Sequence, residues 1–446
     1  MLLEYADSFK NKKVGFVGCG ISNMPIIELF ASADVRLTVR DKKEELPQQK
    51  RLNELGVKTI TGTNYLDDVH EDVLFLSPAV RHDLPELIRA KKNGVVITTE
   101  TEEFFKLCSA RTIAVTGSDG KTTTTTLIYK ILHESGKRVH LGGNIGINLL
   151  TSLDLIKEDD IVVAELSSFQ LMKMSVSPDI AVITNLSPNH LDWHRSMDEY
   201  IESKTNIFNF QSNSGVLVLN YDDRITSSFA ERAKGQVRFF SGEKRLENGI
   251  YFTEKGIYKG DELLLADEDI FLVGWHNRYN YAAAIAATDG LATKRGILKV
   301  AKSFGGVEHR LEFVRELNGV RYYNSSMDSS PSRTAACLKS FNQKVIVICG
   351  GYDKNIPLDR LGSLFCERAK AVILMGDTAD KIQVILDNIG YSSYFRVNNM
   401  EEAVKKAKDT ALVSDCVVLS PAAASFDMFR NFAERGERFK DIVNKL

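Results

Sequence analysis

The sequence predicts an α/β fold in three domains, and three observations carry that expectation. Apolar, β-branched runs end again and again in Gly, Ser, Asn or Asp and give way to helical patterns. That alternation is the mark of mostly parallel sheets covered on both faces. The runs fall into three successive blocks, and 446 residues suit three domains at about 150 residues each. In the middle block one run opens onto a glycine turn that carries a lysine and then enters a helix.

The first block contains "KVGFVGCG", "VRLTVRD", "VLFLSPAV" and "GVVITT". In open parallel sheets ligands sit beyond the carboxyl ends of the strands, so the residues that follow each run are the candidates. "GCGISN" approximates GxGxxG with Asn23 at the third glycine position, and Asp41 follows the second strand at about the distance of a ribose-binding acid. The block is expected to be a Rossmann-like domain over residues 1–103. A nicotinamide-dependent oxidoreductase is one rival reading, and the missing third glycine argues against it.

The second block contains "TIAVTGSDG", "RVHLGGNIG", "IVVAELSS" and "IAVITNLSP". "TIAV" supplies a strand, Gly117 and Gly120 the turn, and "TTTTTLIYKILHESG" the helix. Backbone N–H groups of Gly117, Ser118, Asp119, Gly120 and the helix start through Thr123 can cradle phosphate oxygens, and the helix dipole adds to the attraction. Lys121 would reach the β- and γ-phosphates, and the Thr122 hydroxyl would bind Mg²⁺. The first glycine of GxxxxGK[ST] is replaced by Val115, and an ordinary capped helix is the bland alternative. Candidate metal ligands at later strand ends are Glu165 and, in "TNLSPNHLDWH", Asn185, His190, Asp192 and His194. The pair of histidines suggests zinc, but the glutamate of HExxH is absent; a single hard-metal ligand or a polar helix-start cluster stay open. The stretch 235–274 is expected to form short strands with turns at Gly249, Gly256 and Gly260, a small antiparallel addition to this P-loop ATPase-type domain of residues 104–308.

The third block contains "VRYYNSS", "KVIVICGGYDK", "AVILMGDTA" and "CVVLSPAAA" and is expected to be a second Rossmann-like domain, residues 309–446. Lys plus Arg (57) nearly balance Asp plus Glu (59), which gives no support to nucleic-acid binding. No run approaches the roughly 18 apolar residues of a membrane span, the start lacks a signal-peptide block, and six scattered cysteines lack metal spacing. A cytoplasmic protein, without membrane insertion and monomeric, is expected.

With those motifs in place the chain resembles the Mur ligase family, ATP-dependent amide-forming ligases of bacterial cell-wall precursor synthesis. "TGSDGKTT", "GGNIG", "ELSSFQL", "NHLDWH", "YIESK", "GWHNRYN", "EHR", "GGYDK" and "SPAAASFDMF" occur in family order along nearly the whole chain. Length and the last block look most like the member that joins D-glutamate to UDP-N-acetylmuramoyl-L-alanine. The resemblance implies ATP and two Mg²⁺ sites. ATP would phosphorylate the acceptor carboxylate, and the amine would displace phosphate from the acyl phosphate.

The resemblance also implies site residues. Lys121 and Thr122 would take phosphates and the first Mg²⁺, with Glu165 shared between metals and His190 on the second. Lys204 in "YIESK" matches a carbamylated lysine whose added carboxylate bridges to that metal. Asn277 and Asn280 match adenine-side positions, and Arg310 a nucleotide-phosphate arginine. Ser325 stands where the family often has a ribose-binding Asp, with Asp328 as a compensating acid, and Met327 replaces a common Lys. Ile21, Ser22, Asp41 and Lys42 would hold the uridine nucleotide, and Asn144 and Ser167 the muramoyl side and the reacting phosphate. Ser329, Lys354, Ser425 and Phe432 match the D-glutamate pocket, although Phe432 reads equally as core. Rival readings are a ligase for another amino acid on a muramoyl or folyl acceptor, and a non-catalytic nucleotide-binding partner.

Overall fold

The computed structural model describes residues 1–145 and 148–446, so the last glycine of "GGNIG", Gly146, lies outside the described residues. The strands form three sheets. Two compact units account for the chain: Met1–Asp267 with Tyr279–Val300, and Glu268–Arg278 with Ala301–Leu446.

In the first unit, five parallel strands lie in the order Lys58–Thr61, Arg36–Asp41, Lys13–Val17, Val73–Leu76, Val96–Thr98. The chain steps outward from Lys13–Val17 in one direction and then returns to build on its other side. That reversal opens a crevice beyond the carboxyl ends, where "GCGISN" and Asp41 sit. Phe16, Phe30 and Phe75 are fully buried and pack ring on ring on one face of the sheet, and Val17, Leu74 and Leu76 are buried in a second cluster on the other, so the apolar runs are core on both faces.

The same unit holds a nine-stranded sheet. Its parallel part runs Gly249–Thr253, Gln236–Ser241, Val216–Asn220, Ile180–Ile183, Arg111–Thr116, Ile161–Glu165, Val139–Gly143. The expectation for 235–274 needs correction. Gly249–Thr253 continues the sheet in parallel, and only Gly256–Lys259 and Glu262–Ala266 are antiparallel. The reason is register: Gly249 lies beside Phe239, so the returning segment 242–248 retraces only the end of the strand before it. The two sheets share one apolar cluster, in which Leu2, Ala6 and Phe30 join Leu149, Leu150 and Leu153. The Leu2 amide donates to Asp154 at 3.0 Å.

The second unit carries six strands in the order Glu312–Leu317, Val320–Asn324, Cys416–Leu419, Val345–Cys349, Ala369–Leu374, Tyr394–Arg396. The first pair is antiparallel and the rest are parallel. The loops after Asn324, Cys349 and Leu419 therefore open at one edge, and the candidate residues from Ser325 to Ser425 lie on them. No helix among the described residues is long and apolar enough to cross a membrane.

Candidate active site

The strand Arg111–Thr116 ends at the turn 117–120, and the helix Lys121–Glu134 follows. Two glycines are required here. Gly117 has φ +146° and an added Cβ would lie 1.9 Å from the Thr184 hydroxyl; Gly120 caps the helix at φ +77°, where a Cβ would lie 2.3 Å from Asn280 Oδ1. The turn is pinned from below. Asn185 Oδ1 accepts the Asp119 amide at 2.9 Å, while the Asp119 carbonyl accepts Thr184 Oγ1 at 2.6 Å and Asn185 Nδ2 at 3.0 Å. Ser118 Oγ contacts Tyr200 Oη and the Ser187 carbonyl, both at 2.9 Å. Asn185 was a candidate metal ligand, but its amide is committed to holding the loop.

Two lysines converge on this turn. Lys121 Nζ donates to the Gly117 and Ser118 carbonyls at 2.9 and 2.8 Å. Lys204, on the helix Met197–Asn209, donates to Thr116 Oγ1 at 3.1 Å and the Gly117 carbonyl at 2.9 Å. It is 2 % exposed. Burial drives its amine well below the ordinary lysine value, the charge of Lys121 adds to this, and Glu165 opposes it.

Glu165 ends its strand 2 % exposed. Asn144 Nδ2 donates to Glu165 Oε1 at 2.7 Å, and the Asn144 amide donates to the Glu165 carbonyl at 2.8 Å. The other oxygen, Oε2, is buried with no hydrogen-bond partner among the described residues. A buried carboxylate oxygen left over beside a phosphate-loop helix fits a hard divalent cation. Thr122 is half-buried at the first turn of that helix. Ser167 caps the short helix Ser168–Leu171 through a reciprocal bond pair with Gln170. His190 lies on an exposed turn with φ +54°, its ring 5.0 Å from that of Phe169. His194 is buried instead, stacked on Phe169 with Nε2 2.9 Å from Ser168 Oγ. One histidine exposed and one packed in the interior do not make a zinc pair, so His194 is structural.

Asn280 is buried, with Oδ1 3.3 Å from Thr124 Oγ1, directly under the phosphate turn. Asn277 is also buried and donates to the Val273 carbonyl at 2.6 Å. On the N-terminal sheet, Ile21 is 82 % exposed and the Ser22 carbonyl accepts Asn148 Nδ2 at 2.8 Å. Asp41 accepts the Lys43 amide at 2.9 Å, and Lys42 is exposed. Asn23 Nδ2 donates to the Gly18 carbonyl at 2.7 Å, while its Oδ1 is buried with no hydrogen-bond partner among the described residues. The residue that broke the glycine pattern is thus the one that fixes the turn.

In the second unit, Ser325 is 1 % exposed and its hydroxyl accepts the Leu311 amide at 3.1 Å. Asp328 accepts from Ser420 Oγ at 2.8 Å, and burial raises its carboxyl above the usual range. Ser329 is half-buried and Ser425 buried, whereas Lys354 is exposed 6.0 Å over the Phe426 ring. Phe432 is 40 % exposed, so the core reading of that residue does not hold. Arg310 is half-buried.

Models of three domains match the chain in succession: the Mur ligase MurD-like N-terminal domain at residues 12–99, the Mur ligase middle domain at 115–288, and the Mur ligase glutamate ligase domain at 309–423. A UDP-N-acetylmuramoylalanine–D-glutamate ligase of Acetivibrio thermocellus is 48 % identical over 100 % of this chain and 99 % of its own. The chain belongs to the Mur ligase family. The enzyme of the same name from Ruminiclostridium cellulolyticum is 46 % identical over the same shares of both chains. The UDP-N-acetylmuramate-alanine ligase of Thermotoga maritima shares the fold at TM-score 0.59 and 22 % identity, covering 97 % of this chain and 99 % of that one. A pseudomurein peptide ligase of Methanothermus fervidus gives 0.54 at 19 % identity, covering 98 % and 100 %. This Mur ligase therefore has the three-domain α/β fold expected for it.

Sequence reading missed several residues of this Mur ligase. Thr184 and Tyr200 hold the phosphate turn. Arg435, fully buried, donates to the carbonyls of Ser326, Ala423 and Ala424 at 2.8 to 3.1 Å and to Ser326 Oγ at 3.0 Å. Burial pushes its guanidinium down to about 10. Its position in "AERGERF" reads as a solvated helix face, and no local pattern marks it. Lys173 donates to the Ser77 and Pro78 carbonyls at 2.9 and 2.7 Å, and burial pushes it down to about 7.

Proposed function

We propose that this Mur ligase joins D-glutamate to UDP-N-acetylmuramoyl-L-alanine with hydrolysis of ATP, in bacterial cell-wall precursor synthesis. The observation that carries the substrate choice is the 46 to 48 % identity to D-glutamate ligases along the full length of both chains. The chemistry rests on the geometry of the phosphate turn. A carboxylate is a poor electrophile; transfer of the γ-phosphoryl group to one of its oxygens makes that oxygen a leaving group. The amine then adds, loses a proton, and the C–O bond to phosphate breaks as the amide forms. Such a transfer needs positioning and charge neutralisation more than covalent help.

In this assignment Lys121 and the amides of residues 117–123 bind the phosphates and exclude water. Thr122 and Glu165 would hold one Mg²⁺, and Glu165 would be shared with a second held by His190 and a carbamylated Lys204. The cations supply neutralisation of the oxygens between which phosphoryl transfer occurs. Asn144 orients Glu165. Asn277, Asn280, Arg310 and Ser325 serve the nucleotide, and Ile21, Ser22, Asp41, Lys42 and Ser167 serve the acceptor. Ser329, Lys354, Ser425 and Phe432 serve D-glutamate. The domains are assigned as 1–103, 104–308 and 309–446, with the enzyme cytoplasmic and monomeric.

A panel of amino acids offered with UDP-N-acetylmuramoyl-L-alanine, ATP and Mg²⁺ tests the reading through phosphate release. D-glutamate should exceed every other amino acid, and release without any amino acid should be slight. A clear winner other than D-glutamate rejects the substrate choice, and no release with any of them rejects the ligase. The carbamate has its own check: protein equilibrated with ¹³C-bicarbonate should show one carbamate carbon that disappears in Lys204→Arg. Its absence from active enzyme removes that group from the scheme.

A further inference from the structure

The loop after the strand Val73–Leu76 carries Arg81, which no role above absorbs. Its side chain is 16 % exposed. The guanidinium makes five hydrogen bonds: two to Asp83 at 2.8 and 2.7 Å, two to Glu199 at 2.6 and 3.2 Å, and one to the Trp193 carbonyl at 3.0 Å. It also lies 4.9 Å over the Trp193 ring. A planar fork that meets two carboxylates and a carbonyl together is fixed in orientation in a way that an ammonium group cannot match.

Other bonds tie the same two segments. Trp193 Nε1 donates to the Ala79 carbonyl at 3.4 Å and Arg195 pairs with Asp83 at 2.7 Å, while Lys173, just past the helix that carries Phe169, holds the Ser77 and Pro78 carbonyls from a third segment. Beyond Trp193 the chain folds back on His190, whose carbonyl accepts the Trp193 and His194 amides at 3.1 and 2.9 Å. Phe169 closes the group, its ring 4.6 Å from that of Trp193 and 5.0 Å from that of His190. The loop 77–83 at the crevice of the N-terminal sheet and the turn carrying His190 are therefore one hydrogen-bonded body.

We infer that Arg81 is a positioning residue that couples the two: seating the UDP-muramoyl acceptor in the crevice that Ser22 and Pro78 line together aligns His190 and tightens the divalent cation at that site. This rests on the assignments of acceptor and metal made above. By linkage the effect is reciprocal, so the cation tightens the acceptor by the same factor.

The test measures binding of Mn²⁺, through loss of the free-ion EPR signal, in the presence of a non-hydrolysable ATP analogue, with and without UDP-N-acetylmuramoyl-L-alanine. In the unmodified enzyme the acceptor should tighten Mn²⁺ about tenfold, a usual size for coupled sites. In Arg81→Met the shift should fall below about twofold, with Arg81→Lys between. A purely structural ion pair would lower thermal stability and leave the tenfold shift in place, and that result overturns the inference. So does an enzyme that binds the acceptor without any tightening of Mn²⁺. An enzyme that binds no acceptor at all refutes the assignment beneath it instead. Should Arg81→Met not fold, Glu199→Gln removes one carboxylate of the fork while keeping its size, and a full tenfold shift in that variant and in Arg81→Lys is equally fatal.

Discussion

The phosphate turn of the first unit and the open loops of the second solve opposite problems. Around residues 117–120 the functional groups are themselves buried: Lys204 and Glu165 are each 2 % exposed, and the turn is locked by Thr184, Asn185, Ser118 and Tyr200. At the strand ends of the second unit two of the groups proposed for D-glutamate stand out in solvent, Lys354 exposed and Phe432 40 % exposed, while Ser425 beside them is buried. What is buried there is the support, Arg435 above all. Charge stabilisation of a phosphoryl group gains from a dry, preorganised setting. Recognition of a small amino acid needs loops that keep their shape while their side chains stay accessible.

Breaking the first region should cost most. Lys121→Ala is expected to lower kcat by about 10²- to 10³-fold, as removal of one transition-state donor does, while thermal stability is little changed. An unaltered rate would show that the turn does not serve phosphoryl transfer. Arg435→Met should cost about 2–4 kcal/mol, because carbonyls at Ser326, Ala423 and Ala424 lose a buried donor. For a unit of this size calorimetry should register a fall of about 5–15 °C in its melting transition, and a fall of under a degree would mean the loops are held some other way. The smallest effect is expected at Phe432→Ala. Loss of about 1 kcal/mol of apolar contact predicts a rise of about fivefold in KM for D-glutamate, with folding and ATP affinity retained. A fall in kcat with unchanged KM would place Phe432 outside the amino-acid pocket and weaken the contrast between the two regions.

Local pattern made much of the first region legible. A strand, a glycine turn, Lys-Thr and a helix follow one another without a break, so consecutive residues set a run of backbone amides at the start of one helix. Glu165 was legible for a similar reason, as the last residue of an apolar run. Asn185 was misjudged because its role depends on Asp119, far away in sequence, and the partner of an amide cannot be read from spacing. His190 and His194 look equivalent in "HLDWH", yet one is solvent-facing and the other packed on Phe169. The strand Gly249–Thr253 was mistaken for part of an antiparallel set because glycine marks a change of direction without fixing register. Asn23 looked like a defect in a fingerprint, and it is the residue that ties down Gly18.

By itself the sequence determined the α/β class, the order of the three sheets along the chain, the phosphate turn and the family resemblance, because each depends on periodicity and on motifs of adjacent residues. Tertiary structure alone decided which charges are dry and which are wet. Desolvation of Lys204, the orphaned oxygen of Glu165, the carbonyl clamp of Arg435 and the five-bond fork of Arg81 all arise where distant segments meet. The strength of an electrostatic interaction follows from the water excluded around it, and that exclusion exists only after the chain has folded.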